Sequence, residues 1–272
     1  MEMKNILKRL FKSLYKLLTN KNIWQLVFLY LRWYGYERYK KVENIKVLGY
    51  KIDTPDIASF LGQFREIFAD DNYKFNAKSD EPVIYDCGAN IGLSCLYFKS
   101  LYPKAKITAF EADKKIANIL SANLQKNNIK DVTVISSAVW VHNDGVEFST
   151  EGSDGGSIQG LGGKNRVPSV RLKSILEKSK NKIDLLKIDI EGSEYEVIKD
   201  CEKSLDNVKN IFIEYHSWNN SPQKLSEILA ILEQNNFRYF INGICGRSQP
   251  FVNKGEDQNM DLQLNIFGIK RN

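Results

Sequence analysis

The segment Val83-Ile84-Tyr85-Asp86-Cys87-Gly88-Ala89-Asn90-Ile91-Gly92 is the first place where this chain could do chemistry: a short apolar run ends in an acid and then in two spaced glycines. A strand that runs into glycines and then into a helix brings bare backbone up to a ligand at the carboxyl edge of a sheet. The spacing is Asp-x-Gly-x-Asn-x-Gly, not the Gly-x-Gly-x-x-Gly of pyrophosphate binding. An acid two residues before the first glycine would repel a pyrophosphate and suits a ligand with a cationic or hydrogen-bond-donating amino-acid end. A second acid, Glu111, closes the next apolar run 25 residues later, where a carboxylate can accept both hydroxyls of a ribose. Turn and acid, in that order, point to S-adenosylmethionine (SAM). Asp86, Gly88, Asn90, Gly92 and Glu111 are expected to hold it, with Ser137 and Ala138 at the end of the following strand added to the set. Glu111 also has a plainer reading, as a negative charge at the N-terminus of the helix that follows.

Methyl transfer from a sulfonium is an in-line displacement, so a protein has mainly to align an oxygen and relieve it of its proton. Four further residues suit that task. The run Leu185-Leu186-Lys187-Ile188-Asp189-Ile190 delivers Asp189 to the same edge, opposite the expected methyl group, and Glu191 follows two residues on. Glu191 shares the cleft or charges the N-terminus of the next helix. Glu214 and His216 are expected to end the strand after that, and His216 is a natural proton acceptor near neutral pH. For His216, a general base or substrate ligand, a structural hydrogen bond at the sheet end and a surface position all remain open. These four side chains also offer the oxygen and nitrogen ligands that Mg²⁺ or Mn²⁺ accepts. They lack the fixed spacing of a metal motif, and no metal is assigned.

The elements that must position these residues alternate. Strands are expected over 45–52 (broken at Gly49), 83–87, 106–111, 132–137, 183–189, 208–215, 238–241 and 262–269. Helices are expected over 57–68, from Gly92 to Tyr102, and over 113–127, 194–205 and 223–235. Strands alternating with helices of this length mean βαβ units and a mostly parallel sheet. The stretch 144–163 carries seven Gly and little periodicity, which reads as a loop or hairpin insertion, with Asp154-Gly155-Gly156-Ser157 expected to close over substrate.

Taken in order, the Asp86–Gly92 turn, Phe110-Glu111-Ala112, Lys187-Ile188-Asp189-Ile190-Glu191-Gly192-Ser193-Glu194 and Ile213-Glu214-Tyr215-His216 resemble the FkbM family of SAM-dependent methyltransferases. The resemblance covers roughly residues 45–269, and its most specific part is Asp-Ile-Glu-Gly-x-Glu. It implies a class I methyltransferase fold, α/β and Rossmann-like, with a mostly parallel seven-stranded sheet and helices on both faces. It also implies O-methylation, commonly of a sugar or natural-product hydroxyl. Two departures stand out: residues 1–44 have no counterpart in the family core, and Cys87 occupies a position more often Val or Ile. The alternatives are an NAD-dependent oxidoreductase, disfavoured by the glycine spacing, and a non-catalytic, membrane-tethered binding module on the same fold.

Composition frames these readings. With 272 residues, 43% of them hydrophobic, the chain can bury a large core. Its four cysteines lie far apart with no CxxC pair, which argues against a disulfide framework and for a reducing, cytoplasmic setting. The net charge of +6 is concentrated at one end, since residues 1–41 carry ten Lys/Arg against Glu2 and Glu37. The domain behind them is slightly acidic, and no nucleic-acid partner is expected. In the leader, Ile6, Leu7, Leu10, Phe11, Leu14, Leu17 and Leu18 recur at helical spacing with Lys8, Lys12 and Lys16 on another side. Neither this segment nor the apolar run 23–31 reaches the roughly 20 residues needed to span a bilayer. Residues 1–34 are thus expected either to lie on an anionic membrane, on its inner face, or to pack on the main domain or on a second copy in a homodimer. The domain division expected is a helical leader, 1–44, and a methyltransferase domain, 45–272.

Overall fold

A computed structural model of the chain describes residues 19–149, 164–219, 221–244, 249, 251–252 and 260–271. The leader stripe over 6–18, the Asp154–Ser157 stretch and Cys245 lie outside the described residues. The chain divides into two compact units, 1–74 and 75–272.

In the first unit, strands β1 (Val42–Val47) and β2 (Tyr50–Thr54) pair antiparallel. The single strand expected over 45–52 is therefore a hairpin, turned at Leu48 and Gly49, whose positive φ values of 51° and 85° suit a two-residue hairpin turn. The helix Ile57–Phe64 starts on Asp56, whose carboxylate accepts from the Ser59 N–H and hydroxyl. It was expected to run to residue 68, but it widens into a π turn over Arg65–Ala69, where the Asp70 N–H reaches back five residues to the Arg65 carbonyl. That turn leaves carbonyls for the helix Lys21–Arg32: the Asn22 side chain donates to Phe68 O at 2.7 Å and that of Asn20 to Ala69 O at 3.3 Å. Leu26 and Leu29 of this helix are buried, whereas Trp24, Phe28 and Leu31 stand exposed. Among the described residues no helix is long and apolar enough to cross a membrane.

The second unit is built on one seven-stranded sheet. Its strands are β3 (Val83–Cys87), β4 (Lys106–Phe110), β5 (Val132–Ile135), β10 (Leu185–Ile188), β11 (Asn210–Trp218), β12 (Phe237–Gly243) and β13 (Met260–Lys270), in the order β12-β13-β11-β10-β3-β4-β5. Only β13 is antiparallel to its neighbours. From β3 the order runs outward in both directions, and right-handed crossovers then place the intervening helices on opposite faces. One face is packed by the helices Leu172–Lys178, Glu194–Asp200 and Leu225–Gln234, whose Leu176, Val197, Ile198, Ile228 and Leu232 share one buried cluster with Leu186, Ile188 and Ile213 of the strands. The reversal between β3 and β10 is where such sheets open a ligand crevice at their carboxyl ends.

One further expectation is corrected here. Glu214 and His216 do not end their strand: β11 continues to Trp218, because β13 pairs with it along its length as far as Trp218 opposite Met260. The stretch 144–163 follows the hairpin alternative, since β7 (Val146–Ser149) pairs antiparallel with β8 (Lys164–Val167), burying Val146 and Phe148 on alternate positions. The short parallel pair β6 (Ala138–Trp140) and β9 (Ser169–Arg171) also goes beyond the expected elements.

Candidate functional site

The loop after β3 turns where no side chain fits. Gly88 has φ of +84°, and a Cβ on it would lie 1.8 Å from the backbone oxygen of Asp189. The N–H groups of Gly88 and Ala89 both donate to Phe110 O, which ties the loop to the end of β4. Asn90 is also left-handed (φ 47°), its Oδ1 accepting from the Ile91 N–H, and Gly92 opens the helix Leu93–Leu101. The predicted turn residues thus form one bare backbone rim at the switch point.

Glu111 stands just beyond β4. Its two carboxylate oxygens accept the Asn90 and Asp113 N–H groups, each at 2.9 Å, which fixes the side chain and leaves further lone-pair sites. Burial pushes its carboxyl up to about 7, against the pull of those two N–H bonds. The helix Lys114–Lys126 is capped by Asp113, whose carboxylate accepts the Lys115 and Ile116 N–H groups. The Glu111 N–H donates to Ile135 O at the end of β5. Ser137 follows two residues later, while Ala138 begins β6 with its N–H on Pro168 O.

Asp86 is 0% exposed. Its carboxylate accepts from the Ser94 hydroxyl and, at 3.8 Å, from the Cys95 thiol, and it lies 3.3 Å from Lys187 Nζ. Lys187 sits directly opposite Asp86 in the β10–β3 register and reaches over it. Its ammonium also donates to Gly88 O at 2.8 Å and lies 3.2 Å from Asp189 Oδ2. This lysine joins the glycine turn to the strand-end carboxylate. Burial raises the Asp189 carboxyl above its ordinary value, with Lys187 opposing.

The turn after β10 is held from within. Glu191 (φ 57°) and Gly192 (φ 96°) are both left-handed, and a Cβ on Gly192 would sit 2.4 Å from the Trp218 indole nitrogen. Glu194, buried, accepts the N–H groups of Ile190 and Gly192 on a single oxygen, Oε1. The same oxygen meets His216 Nδ1 at 3.0 Å. An oxygen already accepting two N–H bonds leaves Nδ1 as the donor. The other ring nitrogen, Nε2, faces Glu214 at 3.6 Å, Glu191 at 3.7 Å and the Gln263 amide nitrogen at 3.4 Å. Burial by itself would lower the His216 pKa, but Glu194 and Glu191 outweigh it and hold the ring well above its ordinary value. Burial likewise lifts Glu191 well above the usual carboxylate range.

The structure therefore brings Asp189, Glu191, Glu214 and His216 together beside Gly88. Asn90 and Glu111 meet on the other side of the turn, and Asp86 lies beneath it. The residues that sequence reasoning missed are Lys187, Glu194 and Gln263.

A parallel sheet reversing at β3, a bare glycine turn there, and an acid ending the next strand define a class I methyltransferase. The Methyltransferase FkbM domain model matches residues 86–239. Methyltransferase sdnD of Sordaria araneosa is 31% identical over 217 residues, 64% of this chain and 80% of that protein. The 2-O-methyltransferase NoeI of Sinorhizobium fredii is 26% identical over 156 residues, half of this chain and 63% of that protein. A solved structure of Methyltransferase FkbM from Methylobacillus flagellatus superimposes with a TM-score of 0.48 and 14% identity, covering 77% of this chain and 53% of that one. This chain belongs to the FkbM methyltransferase family, and its cofactor is S-adenosylmethionine. The family assignment displaces the oxidoreductase alternative. The residues present fit the cofactor: the glycine rim admits close backbone approach, and the anchored Glu111 carboxylate has sites left for ribose hydroxyls.

Proposed function

We propose that the chain transfers the methyl group to a hydroxyl oxygen of a sugar, a glycan or a related natural product. The observation that supports this most is Asp189, a carboxylate beside the glycine turn, held by Lys187 and raised above its ordinary pKa by burial. A hydroxyl attacks only as its proton leaves, and a carboxylate with a raised pKa is better matched to take it. The bound sulfonium supplies an already activated methyl, so the chain's own residues have only to orient the oxygen and hold its proton. The name of the Sinorhizobium relative, a 2-O-methyltransferase, supports oxygen as the nucleophile. The test is incubation with SAM and a panel of nucleotide-linked sugars and glycan extracts, reading S-adenosylhomocysteine release and methyl position. Methyl found only on nitrogen or carbon would sink the proposal.

In this reading Glu111 binds the ribose. Glu111→Ala is expected to weaken SAM binding by about 1–3 kcal/mol, the loss of charge-assisted hydrogen bonds. The pH dependence follows from its raised pKa of about 7. Between its ordinary value and 7 the folded chain keeps a proton that the unfolded chain has released, so this group lowers stability as pH rises through that window. Ribose hydroxyls donate to the ionised form, so SAM binding expels the proton. Affinity should rise from pH 6 to 8 in the wild type, with buffer-dependent binding heats, and stay flat in Glu111→Ala. A flat wild-type profile would remove the ribose role.

For the first unit we propose peripheral contact with an anionic membrane from the cytoplasmic side. Trp24, Phe28 and Leu31 offer the apolar contact and the basic leader the attraction, roughly 1 kcal/mol per Lys or Arg near the surface. The double substitution Trp24→Ser, Phe28→Ser should cut co-sedimentation with anionic vesicles about tenfold while leaving SAM binding unchanged. If the wild type ignores vesicles and the variant changes oligomeric state instead, this face packs on a second copy.

A further inference from the structure

The carboxyl edge between β10 and β11 holds more than a proton acceptor. We propose that Asp189, Glu214 and His216 bind one divalent cation of the Mg²⁺ or Mn²⁺ kind, with coordination places left for the acceptor's hydroxyl oxygen. The role of that oxygen rests on the hydroxyl-acceptor reading above, whereas the ion site itself does not. One donor atom from each of the three residues lies within 4.8 Å of the other two. Neighbouring ligands of one octahedral ion at 2.0–2.1 Å are about 2.9 Å apart and opposite ones about 4.2 Å, so His216 Nε2 and Glu214 Oε1, now 3.6 Å apart, close by somewhat under an ångström to share it.

The imidazole is already turned for the purpose. With Nδ1–H spent on Glu194 Oε1, the Nε2 edge points at the carboxylates of Glu214 and Glu191, 3.6 and 3.7 Å away, and at the Gln263 amide nitrogen at 3.4 Å, which itself donates to Glu214. A histidine whose other nitrogen donates to a buried carboxylate is the arrangement that orients metal-binding imidazoles. Nε2 takes either a proton or the ion, and the carboxylates around it favour both.

An independent observation comes from β13. Asn265 pairs directly with Glu214 and so projects on the same face of the sheet, as Gln263 does opposite His216. Asn265 is 4% exposed, and its Oδ1 has no donor within hydrogen-bond reach among the described residues. Buried acceptors without donors are rare, and an ion or its bound water is the kind of partner such an oxygen takes. The charge balance points the same way. Among the described residues four carboxylates, Asp189, Glu191, Glu194 and Glu214, gather about Lys187 and His216, and the buried ones need compensation. Carboxylate oxygens suit Mg²⁺ and Mn²⁺, and the imidazole moves the preference towards Mn²⁺.

The test uses the full chain, stripped with chelator and titrated with Mn²⁺ alone, the free ion being followed by electron paramagnetic resonance. One Mn²⁺ per chain is expected. Glu214→Gln should weaken binding at least about tenfold, and Glu194→Gln, which touches the ion only through His216, about 10–100-fold. Asp206→Asn, on an exposed loop, should change nothing. SAM binding by the same samples reports that each variant is folded. Saturable SAM binding with no Mn²⁺ uptake overturns the metal site and leaves the methyltransferase intact, as does equal Mn²⁺ affinity in the wild type and both Glu variants. Mn²⁺ uptake that Glu214→Gln abolishes, in a chain that methylates no hydroxyl, upholds the site and removes the hydroxyl-acceptor reading instead.

Discussion

Asp189→Asn is expected to lower turnover about 100-fold or more while SAM affinity stays nearly unchanged. Asparagine keeps the size of the side chain and one acceptor oxygen, so the turn over Gly88 should survive. What it loses is the capacity to take a proton and the charge that meets Lys187 at 3.2 Å. His216 does not stand in for it, because Nδ1–H is spent on Glu194 Oε1 and Nε2, among its carboxylates, is taken by a proton or by the ion. Glu191 is raised further still and lies at a left-handed turn residue, so it is set by the backbone rather than by an acceptor. The measurement is steady-state S-adenosylhomocysteine formation beside calorimetric SAM binding. Turnover surviving within a few-fold would move the proton transfer to Glu191 or Glu214, whereas a parallel loss of SAM binding would make Asp189 a cofactor residue.

What was legible in the sequence follows from where local pattern decides structure. The β3 turn could be read because an apolar run, an acid and spaced glycines are local signals, and the structure places Gly88 where even a methyl group would strike the Asp189 backbone. Glu111 could be read because its distance along the chain from that turn is set by a single helix and strand. The strand end at Tyr215 was misplaced for the opposite reason. β11 continues to Trp218 only because β13, more than forty residues later, pairs along it, and no local pattern carries that register. Gln263 was invisible on the same ground, since its approach to Glu214 and His216 depends on that pairing. Lys187 did leave a signal that went unused. A lysine in the middle of Leu-Leu-Lys-Ile, in a strand buried on both faces, is rare unless something pairs with it. Glu194 was hidden by its position, because an acid in the first turn of a helix reads as a dipole partner. Only the structure shows its oxygen gathering two N–H groups and an imidazole.

Lys187→Met should cost about 3–5 kcal/mol of stability, the penalty of breaking a buried ion pair from one side. The lysine is 2% exposed, and its ammonium is shared among Gly88 O, Asp86 and Asp189. Without it, the donors left to the fully buried Asp86 among the described residues are the Ser94 hydroxyl and the Cys95 thiol, neither of them charged. Arginine is not expected to rescue, because a planar fork cannot replace a compact ammonium between three oxygens in so tight a site. The informative comparison is with the double substitution Asp86→Asn, Lys187→Met. If the cost lies in the stranded carboxylate, neutralising it should return much of the lost stability, an interaction energy readable from a denaturant double-mutant cycle. SAM binding should not return with it, because the Gly88 carbonyl still lacks the ammonium that ties the turn to Asp189. Strictly additive losses would show that Lys187 acts by filling space, and undiminished SAM binding in Lys187→Met would show that the turn stands without it.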